Sequence, residues 1–130
     1  MDGQGTLITH VFTSDAQIPL SGATVTVTQT LPDGRQSLLA VRISNLDGFT
    51  APVSIAAPLL AESQSYREDT RPYAKVDIRV EHTAYDRVLV RGAQIFSERE
   101  TLQEMMLVPT PGLPDSYSRT EVFTIPDQQL

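Results

Sequence analysis

Apolar residues recur at every second position through much of the chain, in short runs broken by clusters of turn-forming residues. The clearest run is Tyr73–Glu81. There Ala74, Val76, Ile78 and Val80 alternate with Lys75, Asp77, Arg79 and Glu81, which predicts a strand with one buried and one solvated face. Ala23–Gln29 follows the same rule, with Ala23, Val25 and Val27 opposite Thr24, Thr26 and Thr28. Threonine suits a pleated, half-wet surface. Thr6–Thr13 is different, because Leu7, Thr9 and Val11 on one face and Ile8, His10 and Phe12 on the other both carry apolar groups. A strand covered on both sides would explain that, and the pattern leaves the buried face open.

Four further strands are predicted: Gln36–Ser44, Phe49–Ala56, Asp86–Gly92 and Thr101–Val108. The first places Leu39, Val41 and Ile43 on one face. Pro52 marks the second as an edge strand or a bulge. In the third, Val88 and Val90 oppose Arg87, Leu89 and Arg91, and in the fourth Met105 and Leu107 point inward. Ile18–Ala23, Leu31-Pro32-Asp33-Gly34 and Asn45-Leu46-Asp47-Gly48 read as turns, since Pro presets φ, Asp accepts a local hydrogen bond and Gly permits positive φ. Helical periodicity persists nowhere beyond about two turns, and nine prolines discourage long helices. Seven short strands with turns between them predict an all-β protein, a seven-stranded antiparallel β-sandwich with a C-terminal extension.

Residues 57–71 are the longest polar stretch before the tail, and a connection of about 15 residues is uncommon in a compact domain unless it is functional or mobile. Tyr66, Arg67, Arg71 and Tyr73 make this segment the candidate binding loop, because tyrosine and arginine on a loop held by a rigid sandwich are frequent contact residues. The competing reading is a plain connector. The sandwich is expected to occupy residues 1–109, and residues 110–130 to form a Pro-rich linker (Thr110–Asp115) and a β-prone tail. Val122, Phe123 and Ile125 in that tail are candidate partner-binding residues, docked along a sheet edge or donated to a neighbour.

A length of 130 residues fits one domain, which buries roughly two-thirds of the surface of its unfolded chain, enough for a core without staples. Cysteine is absent, so disulfides and thiolate chemistry are excluded. The net charge of −6 repels phosphate backbones and argues against nucleic acid as a partner. No basic amphipathic stretch and no long apolar run point to a membrane. Met1-Asp2-Gly3-Gln4-Gly5 lacks the basic and apolar regions of a signal peptide, so synthesis in the cytoplasm is expected.

Few residues offer chemistry. His10 and His82 are the only imidazoles and stand far apart in sequence, whereas a zinc site needs three or four ligands. Both read as packed or surface residues. A Gly-x-Ser-x-Gly elbow and a Gly-rich phosphate loop are absent from the sequence. Glu98, Glu100 and Glu104 surround a predicted hairpin, where carboxylates are usually solvated, and Asp33 and Asp47 are explained by Asp-Gly turns. Asn45 with Asp47 is too sparse for calcium. The row Lys75, Asp77, Arg79, Glu81 reads as an outer sheet face paired across strands. The expectation is a protein that is not an enzyme and needs no cofactor or metal, although paired carboxylates remain open.

Ile18-Pro19-Leu20-Ser21-Gly22-Ala23-Thr24-Val25 resembles the P-x-x-G-A-x-V motif of carboxypeptidase regulatory-like domains, Asn45-Leu46-Asp47-Gly48 resembles their T-D-x-x-G turn, and Tyr73 through Tyr85 resembles their Y-x-V-x-V-x-x-x-G-Y strand, with Ala84 in place of the glycine. This resemblance implies a transthyretin-like (prealbumin-like) sandwich. A narrower resemblance, over residues 5–109, is to the amino-terminal region of clostridial spore cortex-lytic enzymes. Arg71-Pro72-Tyr73, Gly92-Ala93-Gln94-Ile95-Phe96 and Leu107-Val108-Pro109 carry it. That region precedes the catalytic part and assists folding or localisation, so no catalytic residue is carried over. The hydrolase relatives of transthyretin close on a Tyr-Arg-Gly-Ser motif, where this chain ends Asp127-Gln128-Gln129-Leu130. Lys75, the only lysine, lies in the fifth predicted strand rather than the first, unlike the crosslinking lysine of collagen-adhesin B-type domains. The resemblance implies a non-catalytic structural or binding accessory module associated with the spore cortex or cell envelope. Its expected partners are peptidoglycan, a protein, or further copies of itself. The alternative is a subunit of a phage-like tail, baseplate or filament that assembles through its C-terminal tail.

Overall fold

The computed structural model describes residues 3–14, 16–31, 33–58, 73–110 and 120–125. Tyr66, Arg67 and Arg71 lie outside them. The described residues form nine strands: β1 (Gly3–Thr13), β2 (Ile18–Pro19), β3 (Thr24–Thr30), β4 (Gln36–Ile43), β5 (Val53–Ala57), β6 (Ala74–Glu81), β7 (Arg87–Ile95), β8 (Glu100–Leu107) and β9 (Thr120–Thr124). They make two sheets. One has the order β4-β3-β6-β7-β9. In the other, β1 pairs with β8 along Thr6–Thr13. It also pairs with β5 along Gly3–Leu7 and with β2 at Phe12–Thr13. These overlapping registers put β8 on one side of β1 and β5 with β2 on the other.

Two expectations are corrected. Nine strands replace the expected seven, because the short β2 and the tail strand β9 both join the sheets. The sandwich is also mixed rather than antiparallel, since β1–β8 and β7–β9 run parallel. Period-two hydrophobicity fixes which face of a strand is buried but carries no information about the direction of its neighbour. Parallel partners are brought together by long crossovers, which leave no hairpin signature.

The core forms where the inward rows of the two sheets meet. Leu7 and Val11 of β1, Val25 and Val27 of β3, Val76, Ile78 and Val80 of β6, Val88 and Val90 of β7, and Met105 and Leu107 of β8 are all buried. β1 resolves its ambiguity by turning Leu7, Thr9 and Val11 inward. Its outer row is partly covered, with the His10 ring stacked on Phe49 at 4.3 Å between centroids.

β4 departs from the expected pattern. A bulge follows its Ala40–Val27 pair, so that Leu38 faces Thr28 and Leu39 is the extra residue. Ala40 is the side chain that meets the core, while Val41 and Ile43 share the outer face with Thr24 and Thr26. Their apolar row lies on the outer face of the strand that, among the described residues, ends this sheet.

Three local devices hold the layers in place. Asn45 Oδ1 accepts the amides of Asp47 and Phe49 (2.9 and 3.0 Å), closing the turn between β4 and β5. Gly48 has φ +84°, its carbonyl accepts the Val11 amide at 2.7 Å, and a Cβ at this position would strike the Val11 carbonyl. The buried Ser44 hydroxyl donates to Leu20 O (2.7 Å) and accepts from Ala23 N (2.9 Å), anchoring the segment that leads into β3. Beyond β8 the chain hooks onto the other sheet. Asp86 N donates to Val108 O, and Thr110 N to Ala84 O, each at 2.9 Å. Thr110 Oγ1 also donates to Asp86 Oδ1 at 3.1 Å.

Candidate interaction surfaces

Of the four candidate binding-loop residues, only Tyr73 falls among the described residues. It is 4% exposed, and its ring tilts against Phe96 at 5.5 Å. Tyr73 packs at the start of β6 and also borders the polar hollow that contains Lys75 and Asp77. Its partner is legible in retrospect from the register: Ala74 faces Ile95, so Tyr73 and Phe96 are the next positions along the two strands.

The tail residues are placed by β9, which lies alongside β7 in the same chain, Val122 opposite Leu89 and Phe123 opposite Val90. Ile125 N donates to Arg91 O at 3.0 Å and continues the docking. Ile125 packs against the core, yet Val122 is half-exposed and Phe123 is 56% exposed. Between β9 and β8 lies a groove of about 400 Å³. Val88, Val90 and Met105 form its floor, and Met106, Phe123 and Ile125 are among its walls.

A second, more polar hollow of about 510 Å³ involves Gln29, Thr30, Lys75, Asp77, Arg91 and Gly92. It follows from a bulge between β6 and β7, where Asp77 Oδ1 accepts the Gly92 amide at 3.1 Å. In the charged row of β6, Arg79 pairs with Glu81 on the same strand at 3.1 Å. Its sheet neighbours are Thr26 and Leu89.

The histidines are accounted for by packing. His10 lies between Phe12 and Phe49, and the ring nitrogens of His82 each lie 2.9 Å from a carbonyl oxygen, of Thr83 and of Ser21. Among the described residues, no group of three or more His, Asp or Glu could hold a metal ion. No helix among them is long and apolar enough to cross a membrane.

What the sequence reading missed is the apolar surface of two sheet margins. On β4, Leu38 is 63% and Ile43 59% exposed, with Val41 and Leu39 also exposed. On β8, Leu102 and Met106 project from the outer face, opposite in parity to the buried Met105 and Leu107. The signal was present. Leu38-Leu39-Ala40-Val41 is an unbroken apolar run, more than one buried face can absorb.

No family model matches the chain, and no curated protein does. Among proteins of known structure, GBS52, the minor pilin of Streptococcus agalactiae, is similar over 88% of this chain, at 13% identity and a TM-score of 0.52. The Bacillus anthracis TIE protein is similar over 83%, at 11% identity and 0.51. The 3-chlorocatechol 1,2-dioxygenase of Rhodococcus opacus 1CP is similar over 84%, at 11% identity and 0.51. The chain spans 49%, 17% and 61% of these proteins respectively. At such identities the likeness is one of fold, a β-sandwich that serves a pilin and a dioxygenase alike.

Proposed function

We propose that this chain is a non-catalytic structural or binding module that works through protein contacts made at its sheet margins. The observation that carries this reading is the exposed apolar row of β4 (Leu38, Val41 and Ile43) on a strand that, among the described residues, ends its sheet. Apolar side chains gathered on one edge mark a contact surface rather than ordinary solvent-facing sheet. The fold-level likeness to a minor pilin is in keeping with a structural role. Its motifs support membership of the carboxypeptidase regulatory-like, transthyretin-like group. Their resemblance to the accessory region of spore cortex-lytic enzymes supports a spore or envelope setting, with peptidoglycan or an envelope protein as partner. Light scattering after size exclusion, together with cosedimentation on purified peptidoglycan, tests this. Self-association or pelleting is expected. A monomer that ignores peptidoglycan, or a turnover traced to particular side chains, would overturn the reading.

A second reading is favoured by the exposure of Val122 and Phe123 on β9. The chain is then a subunit of a tail, baseplate or filament that lends β9 to a neighbour. Removing residues 116–130 would leave a folded monomer in that case. An assembly that survives the truncation rules it out.

A further inference from the structure

We propose that the margin of β8 receives an extended peptide segment of a partner protein, one that alternates apolar and polar side chains and sets a lysine or arginine beside Glu104. The proposal rests on the structural-module reading and names the chemistry of one partner. Among the described residues β8 pairs only with β1, so its other margin has no strand beside it. The ladder decides which backbone groups point there. Thr6 N donates to Arg99 O at 2.9 Å, and Thr6 is level with Glu100 in the parallel register. The bonding alternates along the strand, so Thr101, Gln103 and Met105 turn their backbone groups to β1, while Leu102, Glu104 and Met106 turn theirs away. The Gln103 amide caps the Glu104 carbonyl at 3.2 Å, an exposed bond that an incoming backbone N–H replaces. Such a margin is a template for a further strand.

The same margin borders the apolar groove of about 400 Å³, with Val88, Val90 and Met105 beneath and Phe123 and Ile125 across from it. A strand laid beside β8 sends alternate side chains to opposite faces. One set enters the groove, which takes apolar groups such as valine or leucine. The other set lies on the outer face, level with Leu102, Glu104 and Met106, which share one parity and are all exposed. Glu104 is the one charged side chain among the described residues that line the groove. The position facing it therefore matches a lysine or arginine. Backbone, groove and charge are met in one register, because the groove lies under one face of the added strand and Glu104 stands beside the other. The net charge of −6 favours a basic segment over a second copy of this chain.

The probe is a labelled synthetic peptide as long as β8 that alternates valine and lysine. Fluorescence anisotropy is expected to show saturable binding below about 1 mM. Amide exchange followed by NMR is expected to slow at Leu102, Glu104 and Met106, and to stay unchanged at Thr101, Gln103 and Met105, which already bond to β1. Glu104→Lys should weaken binding at least ~10-fold and transfer the preference to a peptide alternating valine and glutamate. Phe123→Asp, at an exposed wall of the groove, should weaken both peptides. Circular dichroism confirms that each variant is folded. Absence of saturable binding, equal binding of a scrambled peptide of the same composition, or unchanged exchange at the three outward amides would each overturn the proposal. So would a mass that rises with concentration and shields those amides without peptide, which makes the occupant a second copy, or a hydrocarbon dye that fills the groove where the peptide does not. A chain that rejects the peptide yet pellets with peptidoglycan loses this site and keeps the module reading.

Discussion

Thr9 and Thr50 exchange two hydrogen bonds across 41 positions of sequence: Thr9 N donates to Thr50 Oγ1 at 3.1 Å, and Thr50 N donates to Thr9 O at 3.0 Å. Both residues are buried. The pair continues the side of β1 that β5 occupies further along, where no regular ladder reaches. Thr50→Val keeps the shape and removes the acceptor, leaving a buried amide unpaired, and should cost roughly 1–3 kcal/mol in urea denaturation. Thr50→Ser keeps the oxygen and should lose much less. Equal losses would place the effect in the methyl group instead.

Ala84 stands where the resembling domains carry glycine, and it adopts φ +68°. An L-residue in the left-handed region is strained by about 1–2 kcal/mol, part of which glycine returns as a more flexible unfolded chain. Ala84→Gly should therefore stabilise the protein, by about 0.5–1 kcal/mol, seen as a higher Tm. A lower Tm would show that the strain is relieved elsewhere.

Gly48 permits no side chain, since a Cβ would meet the Val11 carbonyl while the backbone holds φ +84°. Gly48→Ala should destabilise by more than about 2 kcal/mol. Gly34, at φ +89° with open space where an added Cβ would sit, isolates the backbone part, and Gly34→Ala should cost only about 1 kcal/mol.

Two valines separate the inner and outer faces of one sheet. Val80 is fully buried, and Val80→Thr places a hydroxyl among apolar groups, at a cost of roughly 1–3 kcal/mol. Val41 is exposed on β4, and Val41→Thr should change stability by less than about 0.5 kcal/mol at micromolar protein. A large effect at Val41 would mean that its face is covered in solution.

Alternation was legible wherever one face met the core and the other met water. Val76, Ile78 and Val80, like Val25 and Val27, could be assigned from the sequence because their neighbours on the opposite face are polar. It was uninformative where both faces carry apolar groups, and the outer face of β1 and the edge position of β4 had to come from the structure. Strand direction was invisible throughout, because a parallel partner arrives from a distant part of the chain. Tyr73 shows the same limit at the candidate site. Its residue type suggests recognition, but that its ring lies buried against a cross-strand neighbour, Phe96, is visible only in the structure.

The parallel ladder of β1 with β8 joins the first strand to one near the end of the main sandwich, from Thr6 beside Glu100 to Thr13 beside Leu107. Tension applied between Gly3 and Leu107 runs lengthwise along that ladder, so its bonds are sheared together rather than peeled one at a time. A fold tied in this way resists stretching between those two points far better than a hairpin pulled apart from its open end.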